Sequence, residues 1–212
     1  YVGTDLNFQP GLGNSDGGIE MFVGVGDDIN IGGERLVNEG NFVCSNGGFG
    51  IRMGKDTEPN NFIPMISGNT VGTDATGTVN LANTGSEPGI RVGGLDRGSV
   101  IGGPGGRGNI VAFQENGIGV TSERNQITRN SIFCNAVKGI DLFGGTGNNN
   151  VVPPTIVVAT EQEISGTSKP LDLIELFIVD NSNCPDAPCQ GKEYVTFIFT
   201  DNFGDWRLDA PF

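Results

Sequence analysis

The chain has 212 residues, 36 of them glycine, with a formal net charge of −13 at pH 7 and an isoelectric point near 4.2. So acidic a chain is not expected to bind nucleic acid, and the absence of histidine excludes Ser-His-Asp sites, Cys-His sites and imidazole ligation of metals. No stretch approaches the roughly 20 consecutive apolar residues that cross a bilayer, so no membrane span is expected.

Residues 1–148 are predicted to form a solenoid of short strands. Apolar pairs recur among Gly, Asn, Asp and Ser, in runs too short for helices and too regular for disorder. Gly and Asn adopt left-handed backbone conformations at low cost, so a chain rich in both makes many sharp turns. The interval from Gly117-Ile118 to Gly139-Ile140 predicts a coil of about 22 residues. Such a coil holds about three short strands and cannot bury its own apolar face, so the coils must stack.

A motif near the start of the chain returns further on. VGTD at 2–5 recurs at 71–74. We therefore predict that one block of about three coils is present twice. Since Asp5 and Asp74 recur at the same motif position, each is predicted to hold a corner by hydrogen bonds to nearby backbone N–H groups.

The repeat motifs also resemble those of a known family. VGTDATG, IGG and N-x-I-x-x-N-x-I (125–132) resemble motifs of bacterial right-handed parallel β-helix repeat proteins of the pectin-lyase-like superfamily. The resemblance implies a right-handed parallel β-helix. Strands of successive coils would pair in parallel about 4.8 Å apart, with Ile on Ile inside and Asn on Asn at the corners. The superfamily contains enzymes, adhesins and passive spacers, so the motifs specify fold rather than function.

A second domain is predicted over residues 149–212. Pro153 and Pro154 end the repeat pairing, and partly alternating runs then predict half-buried strands. The segments PPTI, ISGTS, IELF, QGKEY and TDNFGDW resemble the Ig-like β-sandwich that follows such solenoids in large surface proteins. The resemblance implies an incomplete sandwich, with about five strands where about seven are expected. Both ends look cut, so we expect a piece of a longer polypeptide.

The four cysteines divide into two pairs. Cys44 and Cys134 follow apolar runs in coils several steps apart, whereas a disulfide needs Cα atoms within about 7 Å. Both are therefore predicted to be buried free thiols. Cys184 and Cys189 lie in the short loop NCPDAPCQG, where a disulfide between them is predicted, and this bond implies an oxidising, extracytoplasmic location.

Carboxylates, Arg and Lys remain as candidates for chemistry. Enzymes of the resembled architecture hold calcium with clustered Asp and abstract a proton with Arg or Lys, or use several Asp on neighbouring coils. The candidates are Asp27, Asp28, Asp74, Asp96, Asp141, Arg91, Arg97, Arg124, Arg129 and Lys138. Asp27 and Asp28 are weak calcium candidates with exposed loop acids as the simpler interpretation, and no catalytic residue or other cofactor is assigned. Arg91, Arg124 and Arg129 are candidates for one outer face that binds carbohydrate.

The leading functional hypothesis is a non-enzymatic structural or adhesive segment of a large extracellular or cell-surface bacterial protein. The alternative is a carbohydrate-active β-helix: a polysaccharide lyase or hydrolase, or a glycan-binding module. A third hypothesis is assembly into a fibre, since open sheet edges pair with other chains. The expected partners are the rest of a longer parent polypeptide or identical subunits through exposed β-edges, with surface glycans under the alternative.

Overall fold

A computed structural model of the protein describes residues 1–24, 29–55, 63–94, 98–180, 182–188 and 190–210. The chain divides into two compact units. The first unit consists of Tyr1–Asn150 with Val179–Lys192, and the second of Val151–Ile178 with Glu193–Phe212. The segment 179–192, which the sequence-based boundary at 148/149 assigned to the C-terminal domain, therefore belongs to the first unit.

Short parallel strands build the first unit. In chain order they are β1 (Ile19–Val23), β2 (Asn30–Gly32), β3 (Phe42–Val43), β4 (Ile51–Lys55), β5 (Met65–Ser67), β6 (Thr70–Val71), β7 (Ile90–Val92), β8 (Val100–Gly102), β9 (Ile110–Ala112), β10 (Asn116–Val120), β11 (Gln126–Thr128), β12 (Ser131–Phe133) and β13 (Lys138–Leu142). Over the described residues they form three sheets, ordered β1-β4-β7-β10-β13, β2-β5-β8-β11 and β3-β6-β9-β12. Each sheet takes one strand from each successive turn of the chain, so this unit is an all-β solenoid of the β-helix type.

A strict register stacks like residues across the coils. One column consists of Ile19, Ile51, Ile90, Ile118 and Ile140. The intervals along the column are unequal: the longest runs from Ile51 to Ile90 and the shortest from Ile118 to Ile140. The direct pairing of Ile118 with Ile140 confirms the coil length predicted from the sequence, and the longer intervals place their extra residues in connections between strands.

The predicted block of three coils is wrong. Val2 forms a parallel bridge with Val43, and Val43 pairs with Val71, so the interval from one VGTD motif to the next spans two coils. A three-coil block would fit only if every coil used the shortest observed length. The early coils instead have longer intervals between paired residues, as from Ile19 to Ile51 and from Ile51 to Ile90.

The interior of the solenoid is one apolar cluster. Its members are buried Val, Ile and Met side chains from all three sheets: Val23, Ile31, Val43, Ile51, Met53, Ile66, Val71, Ile90, Val92, Ile101, Val111, Ile118, Val120 and Ile132. Burying a side chain of this size contributes about 1.5–3 kcal/mol relative to exposure. Because most of these residues are β-branched, they suit the pleated surface of a strand and pack on their equivalents one coil away.

The strands of the remaining chain are β14 (Thr155–Ala159), β15 (Glu163–Thr167), β16 (Leu173–Val179), β17 (Gly191–Phe199) and β18 (Asp205–Asp209). Strand β15 pairs antiparallel with both β14 and β18, and β16 and β17 form a separate two-stranded sheet. Trp206 is 3% exposed, and its ring lies against Gly166 on the neighbouring strand. Among the described residues, helix is confined to short 3-10 turns at Arg35–Val37, Phe143–Gly145 and Gly147–Asn150. None of the helices in the described ranges is long and apolar enough to cross a membrane.

Candidate functional site

Buried amide side chains form columns at the corners of the solenoid. The 41–130 ladder consists of Asn41, Asn69, Asn109 and Asn130. At each step the backbone N–H and the Nδ2 group of one Asn both donate to Oδ1 of the Asn on the next coil, at 2.9–3.1 Å. Amide groups suit this position because one side chain offers an acceptor to the coil before and donors to the coil after. The predicted stacking of Asn on Asn is therefore confirmed.

The 14–190 ladder occupies a second corner. Its members are Asn14, Asn46, Asn83, Gln114, Asn135 and Gln190. Ser45, Phe113 and Cys134, each directly before a member, have φ of 57°, 60° and 55°. This left-handed conformation costs a non-glycine residue about 1–2 kcal/mol, and the hydrogen bonds of the ladder hold the chain in it.

The last member of this ladder comes from outside the coils. The backbone N–H and Nδ2 of Asn135 donate to Oε1 of Gln190 at 3.1 and 2.9 Å, and Nε2 of Gln190 donates back to the Asn135 carbonyl at 2.7 Å. Gln190 belongs to the segment 179–192. Its side chain therefore serves as the amide of a following coil, and the segment caps the solenoid at this corner.

A disulfide fixes the same segment. Cys134 and Cys184 are bonded, with Cα atoms 5.4 Å apart. The predictions of a Cys184–Cys189 bond and of a free thiol at Cys134 are therefore wrong. The reason is that the chain returns to the solenoid 50 residues after Cys134. Cys189 lies outside the described residues. Cys44 is buried and free, and burial raises the pKa of its thiol to about 11.

A third corner ends in a similar way without a disulfide. The backbone N–H and Nδ2 of Asn125 donate to Oδ1 of Asn148 at 2.9 and 3.1 Å, and Nδ2 of Asn148 donates to the Asn125 carbonyl at 2.8 Å. Asn148 follows the last coil and has φ of 46°. Two corners thus end on an amide supplied by the chain beyond the coils, and one of the two is covalently fastened.

The recurring aspartates hold turns within the first unit. Oδ1 of Asp74 accepts the backbone N–H groups of Thr78 and Val79 at 3.0 and 3.1 Å, and Oδ2 accepts the Thr76 hydroxyl at 2.7 Å. Asp5 accepts the N–H groups two and four residues further on, at 2.9 and 3.0 Å. Burial alone would raise the pKa of the Asp74 carboxyl, but the hydrogen bonds from Thr76, Val79 and Thr78 outweigh it, so this pKa is lowered.

This lowered pKa predicts a pH-dependent contribution to stability. A carboxyl whose folded pKa lies below its unfolded value stabilises the protein fully above the unfolded value and loses this effect as pH falls through the folded pKa. We expect Asp74→Ala to lower the free energy of unfolding by about 0.5–1.5 kcal/mol at pH 7. The difference from wild type should shrink below about pH 4 in urea titrations. Asp16→Ala, which removes one charge at an exposed position, should show neither effect.

The charged candidates do not converge on a site within the described residues. Asp27, Asp28, Asp96 and Arg97 lie outside those residues. Elsewhere in the described chain, no three of His, Cys, Asp and Glu are grouped so as to hold a metal ion.

The three arginines of the predicted carbohydrate-binding face lie on different elements. Arg91 lies on β7 and pairs with Glu87, whereas Arg124 precedes β11 and Arg129 lies between β11 and β12. Arg124 and Arg129 have φ of 62° and 53°, so each occupies a corner rather than a sheet face. The Asp141 carboxylate forms an ion pair with Lys138 at 2.7 Å.

The candidate functional site is therefore the C-terminal corner, defined here as Cys134, Asn135, Cys184 and Gln190. Sequence reasoning missed both its disulfide and its glutamine. The sequence does contain a signal for Gln114, because VAFQ (111–114) aligns with the corner motifs VCSN (43–46) and IFCN (132–135). No local motif marks Gln190. The corner offers a reducible disulfide and a set of amide donors and acceptors. Comparisons with models of known protein families, with curated proteins and with solved structures each found no match.

Proposed function

We propose that this chain is a non-enzymatic structural or adhesive segment of a large extracellular or cell-surface bacterial protein. The observation that best supports the proposal is the engagement of the buried amides in the scaffold itself. Members of the ladders donate to one another and to corner carbonyls, as Asn69 does to Ile31 and Ser67 at 2.9 and 3.0 Å. The turn carboxylates of Asp5 and Asp74 are likewise engaged by their own loops.

The proposal extends to the finer features of the fold. A right-handed coil is supported by the strong preference of parallel strand connections for that hand. An incomplete Ig-like sandwich is supported by the two small sheets of the second unit and by the buried Trp206 in one of them. In this view the solenoid acts as a spacer that lengthens by about 4.8 Å with each coil.

Location and partners belong to the same proposal. The Cys134–Cys184 bond supports an oxidising, extracytoplasmic compartment. We assign no cofactor. The proposed partners are the rest of a longer polypeptide or identical subunits at exposed β-edges. Strand β14, at the edge of its sheet, supports the second option because Ile156 and Val157 are 62% and 67% exposed.

The proposal is tested by challenging the purified chain with pectin, alginate and related polyanions, with and without calcium. We expect no depolymerisation by viscometry or product chromatography. Cleavage that disappears in the double variant Asp27→Asn/Asp28→Asn, but persists in Asp16→Asn, would overturn the proposal in favour of a carbohydrate-active enzyme. Sedimentation velocity over a range of concentrations tests assembly, and a monomer throughout would remove self-association from the proposal.

A further inference from the structure

The segment 179–192 holds the C-terminal corner through three kinds of contact. Cys184 is bonded to Cys134, and Gln190 completes the 14–190 ladder. Nζ of Lys192 lies 4.9 Å from the ring centroid of Phe133 and donates to the Asp180 carboxylate at 2.7 Å. The disulfide is the covalent member of this set, so the remaining contacts alone would hold the segment once that bond is broken.

The hydrogen bonds of the 14–190 ladder run in one direction, so its last coil depends on an acceptor from outside the coils. Along the ladder, donors point toward the C-terminal coil: the backbone N–H and Nδ2 of Asn46 donate to Asn83, and those of Asn135 donate to Gln190. Asn135, the last member within the coils, is 0% exposed, so both of its donors need a protein acceptor. Gln190 supplies this acceptor and is itself only 6% exposed. Without Gln190 the backbone N–H of Asn135 is a buried donor without a partner, whereas Nδ2 keeps its bond to the Val111 carbonyl at 3.1 Å. An unpaired buried N–H costs free energy unless water enters the corner.

The two sulfurs differ in their accessibility. Cys134 is 6% exposed and packs with Ala112 and Phe133, whereas Cys184 is half-buried and its sequence neighbours are exposed. An external thiolate therefore reaches the sulfur of Cys184 more readily, and the sulfur of Cys134 leaves.

We propose that the segment 179–192 is a redox-operated cap on the solenoid, open when the Cys134–Cys184 bond is reduced and closed when it is formed. The reductant is a small-molecule thiol or dithiol. Its thiolate attacks the sulfur of Cys184, the Cys134–Cys184 bond breaks, and Cys134 leaves as a thiolate that takes up a proton. A second thiol group then attacks the mixed disulfide and frees Cys184, so the net reaction converts two thiols to one disulfide and the cystine to two cysteines.

Opening changes the end of the solenoid alone. It uncovers the backbone N–H of Asn135 and the ring of Phe133 at the end of β12. Earlier coils contact only their neighbours, so Asn46 and the rest of the ladder remain protected. The corner at Asn125, which Asn148 closes without a disulfide, also remains closed. These two amides are internal controls.

The test is residue-resolved amide hydrogen exchange on the whole chain in three forms: oxidised, reduced by a dithiol, and carrying Cys134→Ser with Cys184→Ser. We expect the Asn135 amide to exchange about tenfold faster or more in both bond-free forms, with Asn46 and Asn125 unchanged. Oxidised Gln190→Ala should accelerate Asn135 alone, which would show that the glutamine provides the protection.

Two results would overturn the proposal. Unchanged exchange at Asn135 after reduction would show that non-covalent contacts keep the segment in place, so that the bond does not operate it. Equal acceleration at Asn46, Asn125 and Asn135 would show that reduction destabilises the whole solenoid, and the bond would then be a general structural crosslink.

Discussion

Asn69→Asp is expected to lower the free energy of unfolding by about 3–5 kcal/mol at pH 7. Asn69 is 0% exposed and lies in the middle of the 41–130 ladder. Its Nδ2 group donates to the carbonyls of Ile31 and Ser67 and to Oδ1 of Asn109, at 2.9, 3.0 and 3.1 Å. Aspartate has nearly the same shape, but a carboxylate oxygen would face three acceptors. The loss therefore reports hydrogen bonding and charge rather than a cavity.

The measurement is urea or guanidinium unfolding at several pH values. The loss should shrink at low pH, because the protonated acid is neutral and again has one donor. Asn14→Asp is the matched control: Asn14 is the exposed first member of the other ladder and donates to Asn46 Oδ1 at 3.1 Å. It should cost less than about 1 kcal/mol. Equal losses of unfolding free energy at the two positions would contradict the view that the buried members of the ladder stabilise the corner.

Gly102→Ala is expected to cost about 3 kcal/mol or more, or to prevent folding. Gly102 ends β8 with φ of +94°, and a Cβ atom there would overlap the carbonyl oxygen of Thr128 on the next coil. The same atom would lie 2.6 Å from Oδ1 of Asn130. Relieving this overlap requires the two coils to separate at a point where both the sheet and the ladder bind them.

Gly11→Ala separates this overlap from backbone strain. Gly11 has φ of +92°, but no atom lies within 4 Å of the place that an alanine Cβ would take, so only the left-handed conformation penalises alanine there. That penalty is about 1–2 kcal/mol. Thermal and chemical unfolding of both variants give the two costs side by side. If they agree within error, the close approach of coils at Gly102 contributes nothing.

The sequence was sufficient for the repeating part of the structure. Periodic apolar pairs and corner asparagines indicate a stack of parallel strands, because in-register coils place equivalent residues on one another. Ile118 and Ile140 pair as their spacing predicts, and Asn109 bonds to Asn130 across one coil. The number of coils per duplicated block was not predictable from the shortest coil, because connection length varies where the backbone leaves the sheet.

The end of the solenoid could not be predicted from the same signals. Gln190 is 55 residues from Asn135, and Cys184 is 50 residues from Cys134. Neither Gln190 nor Cys184 lies in a repeat. The motif NCPDAPC favours a local bond when only chain distance is considered, since short loops close at the lowest entropic cost. Here the tertiary return of the segment 179–192 decides the pairing.

The unequal intervals along the isoleucine column have a consequence for how such a surface changes. Ile51 and Ile90, the neighbours furthest apart along the chain, stack in the same way as Ile118 and Ile140, the nearest. Doubling the length of a flexible connection costs only about 0.6 kcal/mol. A one-residue shift in register at a stacked position instead disrupts the sheet hydrogen bonds, the core packing and the corner ladder together. We therefore expect insertions and deletions to be tolerated in the connections and to destabilise the fold at the stacked positions. The connections can then change in length and sequence, or accept a grafted peptide, while the stacked framework stays constant.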